Sequence, residues 1–302
     1  MTLHGVLPVR KPKGYTSHDI VGKIRRLAKQ KRVGHTGTLD PEVEGVLPIC
    51  LGQATRLAEY IQDMPKKYRG SVTLGIATDT EDQTGQITEE VAIHTLPTES
   101  QIIQAMNSMV GEIEQVPPMY SAVKVNGKRL YELARKGEVI ERKARKIQIY
   151  GFEFLGMDVG EKPTIHFTVT CSKGTYVRTL CVDLGKKLDF PAHMSQLIRI
   201  QSGSYSLEDC VTLEQLEAVA NTGDWQSILH SMGEAVSIFP KIIVPATQEF
   251  AILNGKSLQE EAPPETKGGL IRVFSDTGRF LALYRQKEKG LLIPEKVFRD
   301  VE

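Results

Sequence analysis

Cysteine is scarce in this chain, four in 302 residues, and Cys50, Cys171, Cys181 and Cys210 form no CxxC pair and have no histidine at zinc spacing. This excludes a disulfide framework and a structural metal centre as the basis of the fold, and leaves the thiols as buried core residues. Long apolar runs are also missing. Nothing approaches the roughly 20 consecutive apolar residues of a membrane span, and the apolar stretch of the opening MTLHGVLPVRKPKG is too short for a secretion signal. A cytoplasmic protein with no membrane contact is expected. No internal repeat or low-complexity segment interrupts the chain, and there is no excess of one charge. Lys and Arg total 38 against 37 Asp and Glu, a net charge of +1 that argues against a uniformly basic nucleic-acid binder.

What is present is a globular composition whose charge is sorted along the chain. Hydrophobic residues make up 40% and charged residues 25%, which excludes disordered and fibrous classes. The length allows one large domain, or one with a smaller appendage, around a sizeable core. From residue 10 to 32 nine basic residues (Arg10, Lys11, Lys13, Lys23, Arg25, Arg26, Lys29, Lys31, Arg32) stand against Asp19 alone. A second basic cluster runs from Lys124 to Lys146, whereas residues 206 to 268 carry ten acids against three lysines. Two basic segments on a balanced body suit a polyanion lying across one face, although charged helix faces are more often merely solvated.

The local patterns mix strands with helices. Ile20, Val21, Ile24, Leu27 and Ala28 form one stripe of a helix over 17–30, with Ser17 placed to cap it. VLPICLG reads as extended, ATRLAEYI as helical, and YRGSVTLGI alternates as a half-buried strand. Thr98 with Gln101 makes a capping box for a helix that ends near Gly111. Asn126 and Gly127 are a favoured hairpin turn, strands follow at 147–155 and 164–172, and GTYVRTLCVDLGKKL returns to helical spacing. After an acidic helix near 212–220, short strands punctuated by glycine and proline predict a small all-β module over 240–302, short enough to need docking.

The segment GHTGTLD (34–40) superficially suggests a phosphate loop, but it fails the GxxxxGK[ST] pattern, and no GxGxxG opens a helix after a strand. What remains is Asp40 before Pro41 on a turn, with His35 five residues upstream. Taken alone, Asp40 is an ordinary turn aspartate and His35 an ordinary structural histidine.

The whole constellation changes that reading. KPKGYTSHDIV (11–21), GHTGTLDPEVEGVLPICLGQATR (34–56), KKYRGSVTLGIATDTEDQTG (66–85), PPMYSAVKVNGKRLYELARKG (117–137) and GTYVRTLCVDLG (174–185) occur in one order. In these blocks the sequence resembles the bacterial TruB-type tRNA pseudouridine-55 synthase family. The resemblance implies conversion of one uridine in the T stem-loop of tRNA to pseudouridine, with no cofactor, no metal and no guide RNA, by a monomer. It implies that Asp40 is the essential carboxylate and that Arg178 pairs with it. Tyr68 lies against the target base and is a candidate for handling the C5 proton; Tyr176 and Leu197 pack around the flipped uracil. His35 is associated with flipping the base out of its loop. An aspartate side chain, ordinarily titrating near about 3.9, is ionised at neutral pH, so such a site must aim the carboxylate rather than activate it. A phenol near about 10 is a poor general base, which favours stacking as the role of Tyr68. One departure stands out: family members commonly carry DPLATG where this chain has DPEVEG, which places Glu42 and Glu44 near the site.

The expected fold is α+β: a mixed, largely antiparallel curved sheet with flanking helices, as in pseudouridine synthases, plus a small C-terminal all-β PUA-like domain. The expected domains are 1–239, catalytic, with an RNA-gripping insertion near 124–146, and 240–302. Two rivals remain open at this level: a non-catalytic tRNA-binding or tRNA-folding protein that uses the same basic face, and a glycosidic-bond hydrolase. The hydrolase would pair two carboxylates, and the sequence offers no convincing second one.

Overall fold

The computed structural model describes residues 2–125, 127–138, 140–266 and 269–299. The chain divides into two compact units, one of Met1–Glu42, Val46–Gln62 and Ser204–Glu302, the other of Val43–Gly45 and Asp63–Gly203.

The first unit begins with strand β1 (Gly5–Lys11), helix α1 (Ser17–Leu27), β2 (Val33–His35) and β3 (Glu44–Leu51), followed by a 3-10 turn and α2 (Ala58–Asp63). β1 neighbours β3, and β2 pairs antiparallel with β3 through Val33↔Leu51 and His35↔Ile49. Helix α1 forms for the predicted reason, its Ile20, Val21 and Ile24 being buried. Its cap differs from the expectation. Thr16, not Ser17, accepts from Asp19 N while Asp19 accepts from Thr16 N, which closes a capping box. The helix stops at Leu27, where Ala28 caps it and Lys29 turns to a positive φ of 50°.

The second unit holds β4 (Lys66–Leu74), β5 (Ile76–Thr78), β6 (Ile87–Glu90), α3 (Glu99–Asn107), β7 (Gly111–Gln115), β8 (Lys124–Val125), β9 (Lys128–Arg129), α4 (Leu130–Ala134), β10 (Arg145–Asp158), β11 (Thr164–Cys171), α5 (Val177–Lys187) and β12 (Ala192–Ser202). Its sheet has the order β12-β4-β11-β10-β7, antiparallel throughout, and Glu44 and Gly45 add a parallel pairing to Ile198 and Arg199. Two register shifts along β12 and two along β10 bend the strands, as bulges do. The Thr98–Gln101 capping box is present, but α3 ends at Asn107, and Gly111 opens β7 rather than closing the helix. In the expected hairpin turn, Asn126 lies outside the described residues; β8 and β9 on either side pair antiparallel, and Gly127 has φ 81°. α5 packs on β12 and buries Leu180, Cys181 and Leu184 completely. Each such leucine contributes about 1.5–3 kcal/mol of burial.

The chain returns to the first unit with β13 (Tyr205–Ser206), α6 (Leu213–Thr222) and α7 (Met232–Ala235). It ends with β14 (Lys241–Val244), α8 (Glu249–Leu253), β15 (Leu270–Ser275), β16 (Phe280–Glu288) and β17 (Leu291–Val297). The last four strands form one sheet in sequence order around Val244, Ile271, Val273, Leu281, Tyr284 and Leu292. The short helix α8 adds Ile252 to that core, an element the strand pattern had not indicated. Within this unit the module is docked near α2. Arg56 donates to Val297 O and lies 5.2 Å from the Phe298 ring centroid, Lys296 pairs with Glu59, and Tyr60 donates to Glu295 at 3.2 Å. Among the described residues no helix is long and apolar enough to cross a membrane.

β4 departs most from its expected half-buried pattern. Flanked by β11 and β12, it buries every residue from Gly70 to Leu74, so its polar parity must bond internally: Ser71 Oγ meets His166 Nδ1 at 2.8 Å and Thr73 meets Thr164 at 3.2 Å. On the other parity Gly70 has no room for a side chain. An added Cβ would lie 2.8 Å from Gln196 O, Leu197 Cδ1 and Phe167 Cζ, and the backbone oxygen cannot yield cheaply. Gly70→Ala is expected to destabilise the protein by about 1–3 kcal/mol through overpacking. Urea unfolding checks this; an unchanged midpoint contradicts it.

Candidate active site

The loop that carries Asp40 is fastened at each side of the aspartate. Ser17, freed from capping, accepts a hydrogen bond from Leu39 N at 2.8 Å and is 3.3 Å from Leu39 O. Lys11 is fully buried and donates to the carbonyls of Pro12, Tyr15 and Pro41 at 3.0, 2.7 and 3.1 Å. Three carbonyl acceptors are what a buried ammonium requires, so Lys11 is a bolt for the segment after Asp40. That corrects its place among the polyanion-facing cations. Upstream, Thr36 is buried against Pro48 O, and Gly37, at φ 144°, turns the chain so that its N–H donates to His35 Nδ1 at 3.2 Å. Asp40 and His35 are both half-buried, Glu42 is exposed and Glu44 half-buried.

In the second unit the register places Tyr68 opposite Arg199 and Val169, and Leu197 opposite Gly70 and thus one position along from Tyr68 on the same face. The missing side chain at Gly70 leaves Leu197 its space, and Tyr68 stays half-exposed beside it. Tyr176 is the half-buried N-cap residue of α5 and makes no side-chain cap bond. Gln115 takes its backbone N–H and carbonyl instead, at 2.8 and 3.1 Å.

Arg178, in the first turn of α5, is 5% exposed, contrary to the surface position expected of most arginines. Its Nη1 donates to Thr80 O at 2.9 Å and its Nη2 to Tyr120 O at 2.8 Å, while Nε stands 4.0 Å from Asp82 Oδ2. The segment ATDTEDQTG, a polar loop by sequence, is therefore built. Asp82 Oδ1 accepts from Thr80 Oγ1, Thr84 N and Thr84 Oγ1, and Thr78 donates to Asp82 O. Glu81 O accepts from Met194 N, and Gln83 N donates to Met194 O, which fastens the loop to β12 three residues before Leu197. Thr179 donates to Glu81, whose carboxyl is pushed up by burial. Tyr68, Leu197, Tyr176 and Arg178 are thus joined in one unit through the 78–84 loop. Asp82, the acid that sequence reading missed, is recognisable only as an Asx-turn residue and serves to hold this loop. Among the described residues no group of three or more His, Cys, Asp or Glu is arranged to hold a metal ion. Burial pushes the thiols of Cys50 and Cys171 up to about 12 and about 11, which marks them as inert core residues.

Three family models match consecutive stretches of the chain. The TruB family pseudouridylate synthase N-terminal domain covers residues 25–177, the tRNA pseudouridylate synthase B C-terminal domain 178–237, and the pseudouridine synthase II TruB C-terminal domain 240–298. Similar curated proteins include the tRNA pseudouridine synthase B of Bacillus anthracis, 47% identical over 98% of this chain and 97% of that protein. The tRNA pseudouridine synthase B of Bacillus subtilis is 48% identical at the same coverages. Among solved structures, a chain of a Cbf5-Nop10-Gar1 complex aligns with a TM-score of 0.73 at 28% identity, over 98% of this chain and 85% of its own length. A chain of an H/ACA RNP bound to a substrate RNA aligns with a TM-score of 0.72 at 26% identity and the same coverages. The chain belongs to the TruB family of pseudouridylate synthases, which are isomerases.

Two further residues escaped sequence reading because nothing marks a strand cation as buried. Arg199 is 2% exposed on β12 opposite Tyr68, and Lys66, 5% exposed, donates to Met64 O at 2.6 Å on the same parity of β4. Burial, and after it the Arg199 charge, pulls the Lys66 ammonium from its ordinary 10.5 down to about 8. A folded pKa below the unfolded one means that the unfolded chain binds the extra proton between those values, so stability rises with pH through that window. Wild type is expected to gain stability relative to Lys66→Met between pH 8 and 10.5, the two values just given, measured by urea unfolding at constant ionic strength. A difference that stays flat across the window contradicts the burial of this charge.

Proposed function

We propose that this protein isomerises uridine 55 in the T-loop of tRNA to pseudouridine, as a cytoplasmic monomer that needs no guide RNA. The observation that carries this reading is the 47% identity, over nearly the full length of both chains, to proteins named tRNA pseudouridine synthase B. The solved Cbf5 and H/ACA assemblies stand further off, at 28% and 26%.

Asp40 is the catalytic carboxylate, and Arg178 aims it through a charge-assisted pair. A uridine stacked in folded RNA is out of reach, so it must be extruded; His35 assists, and Tyr68, Tyr176 and Leu197 receive the base. The C1′–N1 bond breaks, the electron-poor sugar is trapped by Asp40 or loses its C2′ proton to it, and the retained uracil turns. A C1′–C5 bond forms as the C1′–O bond to Asp40 breaks, or as the C2′ proton returns from Asp40, then C5 gives up its proton and N1 gains one, so atoms and electrons balance without a redox partner. Tyr68 stacks on the base and supports the proton transfer at C5.

Residues 240–302 act as the C-terminal RNA-binding domain beside a catalytic domain of 1–239, and the 124–146 insertion grips the stem-loop. Of the first basic run, the exposed Lys13, Arg26, Lys29 and Lys31 supply phosphate contacts, whereas Lys11 does not. Incubation of an unmodified tRNA transcript with wild type and Asp40→Asn, with carbodiimide labelling and primer-extension stops, tests the reading. Wild type is expected to mark position 55, and Asp40→Asn to be slower by roughly three orders of magnitude or more. Equal conversion by the two sinks the mechanism, free uracil favours a hydrolase, and binding without conversion by wild type favours a non-catalytic RNA-binding protein.

A further inference from the structure

We propose that Gln115 is a positioning residue for the reaction, which fixes the backbone of Tyr176 and through it the start of α5 that carries Arg178; this rests on the roles given above to those two residues. Helix starts are usually locked by a Ser, Thr, Asp or Asn side chain that accepts from the first turn. α5 has a tyrosine at that position and no side-chain cap bond, so its own sequence does not hold it. The lock comes from another element. Gln115, the last residue of β7 and 2% exposed, accepts from Tyr176 N through Oε1 at 2.8 Å and donates to Tyr176 O through Nε2 at 3.1 Å.

This pair imitates a strand-to-strand exchange at a single residue. It sets the direction in which the chain enters the helix, and Tyr176 O still accepts the first helical bond from Leu180 N at 3.0 Å. Two residues on, Arg178 reaches back to Tyr120 O, five residues beyond Gln115. The segment 115–120 contains Pro117 and Pro118, which stiffen it, and it therefore grips the start of α5 at two points. Tyr176 and Arg178 are separated by less than one helical turn, so a rotation of the Tyr176 peptide displaces both. Only an amide side chain offers one donor and one acceptor in the spacing that both backbone groups require; glutamate lacks the donor and methionine lacks both.

The test compares wild type, Gln115→Met and Gln115→Asn as full-length proteins on an unmodified tRNA transcript. Met keeps the volume and removes both bonds, and Asn keeps the chemistry but falls short by one methylene. Single-turnover conversion at saturating enzyme is expected to fall about 10- to 100-fold in both, with the dissociation constant for the transcript unchanged, as for misplacement of a reacting group. Amide hydrogen exchange is expected to speed up at Tyr176 and in the first turn of α5, without acceleration in β4 or β12. The proposal is overturned if either folded variant converts at the wild-type rate, if rate and tRNA affinity fall together, or if exchange at Tyr176 is unchanged. Asp40→Asn, run beside them, separates the two claims. Conversion by that variant contradicts the assignment of Asp40, whereas Gln115→Met at the wild-type rate contradicts the positioning role alone.

Discussion

The buried guanidinium of Arg178 organises the second unit. A charge as enclosed as that of Arg178 is costly unless its donors are met, and loss of its partners would leave the penalty uncompensated. Thr80 O and Tyr120 O come from segments about 40 residues apart in sequence, and Asp82 adds a facing negative charge. Satisfying Arg178 therefore recruits the 78–84 loop and the 115–120 segment to the start of one helix. The loop is in turn fastened to β12 through Met194, so the sheet face with Tyr68 and Leu197 and the helix with Tyr176 are set by the same requirement. Arginine suits this role because its planar fork serves two carbonyls at once and stays charged at any physiological pH.

A comparable logic operates in the first unit, where the fully buried Lys11 takes three carbonyls and Ser17 takes Leu39. The glycines of GHTGTLD do not cradle a phosphate. Gly37 provides a turn, and the segment after it is pinned from β1 and α1, so that Asp40 stands half-exposed on a loop whose anchors, Lys11 and Ser17, are buried. Pinning lowers the entropy lost when a reacting group must be held in one geometry. The departure DPEVEG leaves that mount intact, because its anchors are the backbone atoms of Leu39 and Pro41 rather than the side chains that differ.

Much of the fold was legible because its signals are local. The Thr98 capping box, the stripe of α1 and the alternation in β11 each arise from residues that act on their own neighbourhood. β12 was not legible. A bulge between Met194 and Gln196 puts its buried Met194 and Leu197 three residues apart, which reads as helical spacing, and Arg199 interrupts the apolar pattern from inside the core. Ser17 and Lys11 misled for a related reason: a serine before a helix and a lysine in a basic run have common local uses, and only tertiary partners assign them others. The proposed site residues rest on the ordered motif blocks, not on residue chemistry read position by position. Asp82, which holds the backbone of its loop, is marked locally only as an Asx-turn residue, and Gln115, which holds the backbone of Tyr176, carries no local mark at all.

The proposed site is an aimed carboxylate whose orientation depends on the fork of Arg178. Single-turnover pseudouridine formation by Arg178→Lys on an unmodified tRNA transcript tests that dependence most directly, since lysine keeps the charge but cannot serve two carbonyls in one plane. The predicted result is conversion slower by roughly 100-fold, as expected of a displaced reacting group, with transcript binding retained. Conversion at the wild-type rate would contradict it.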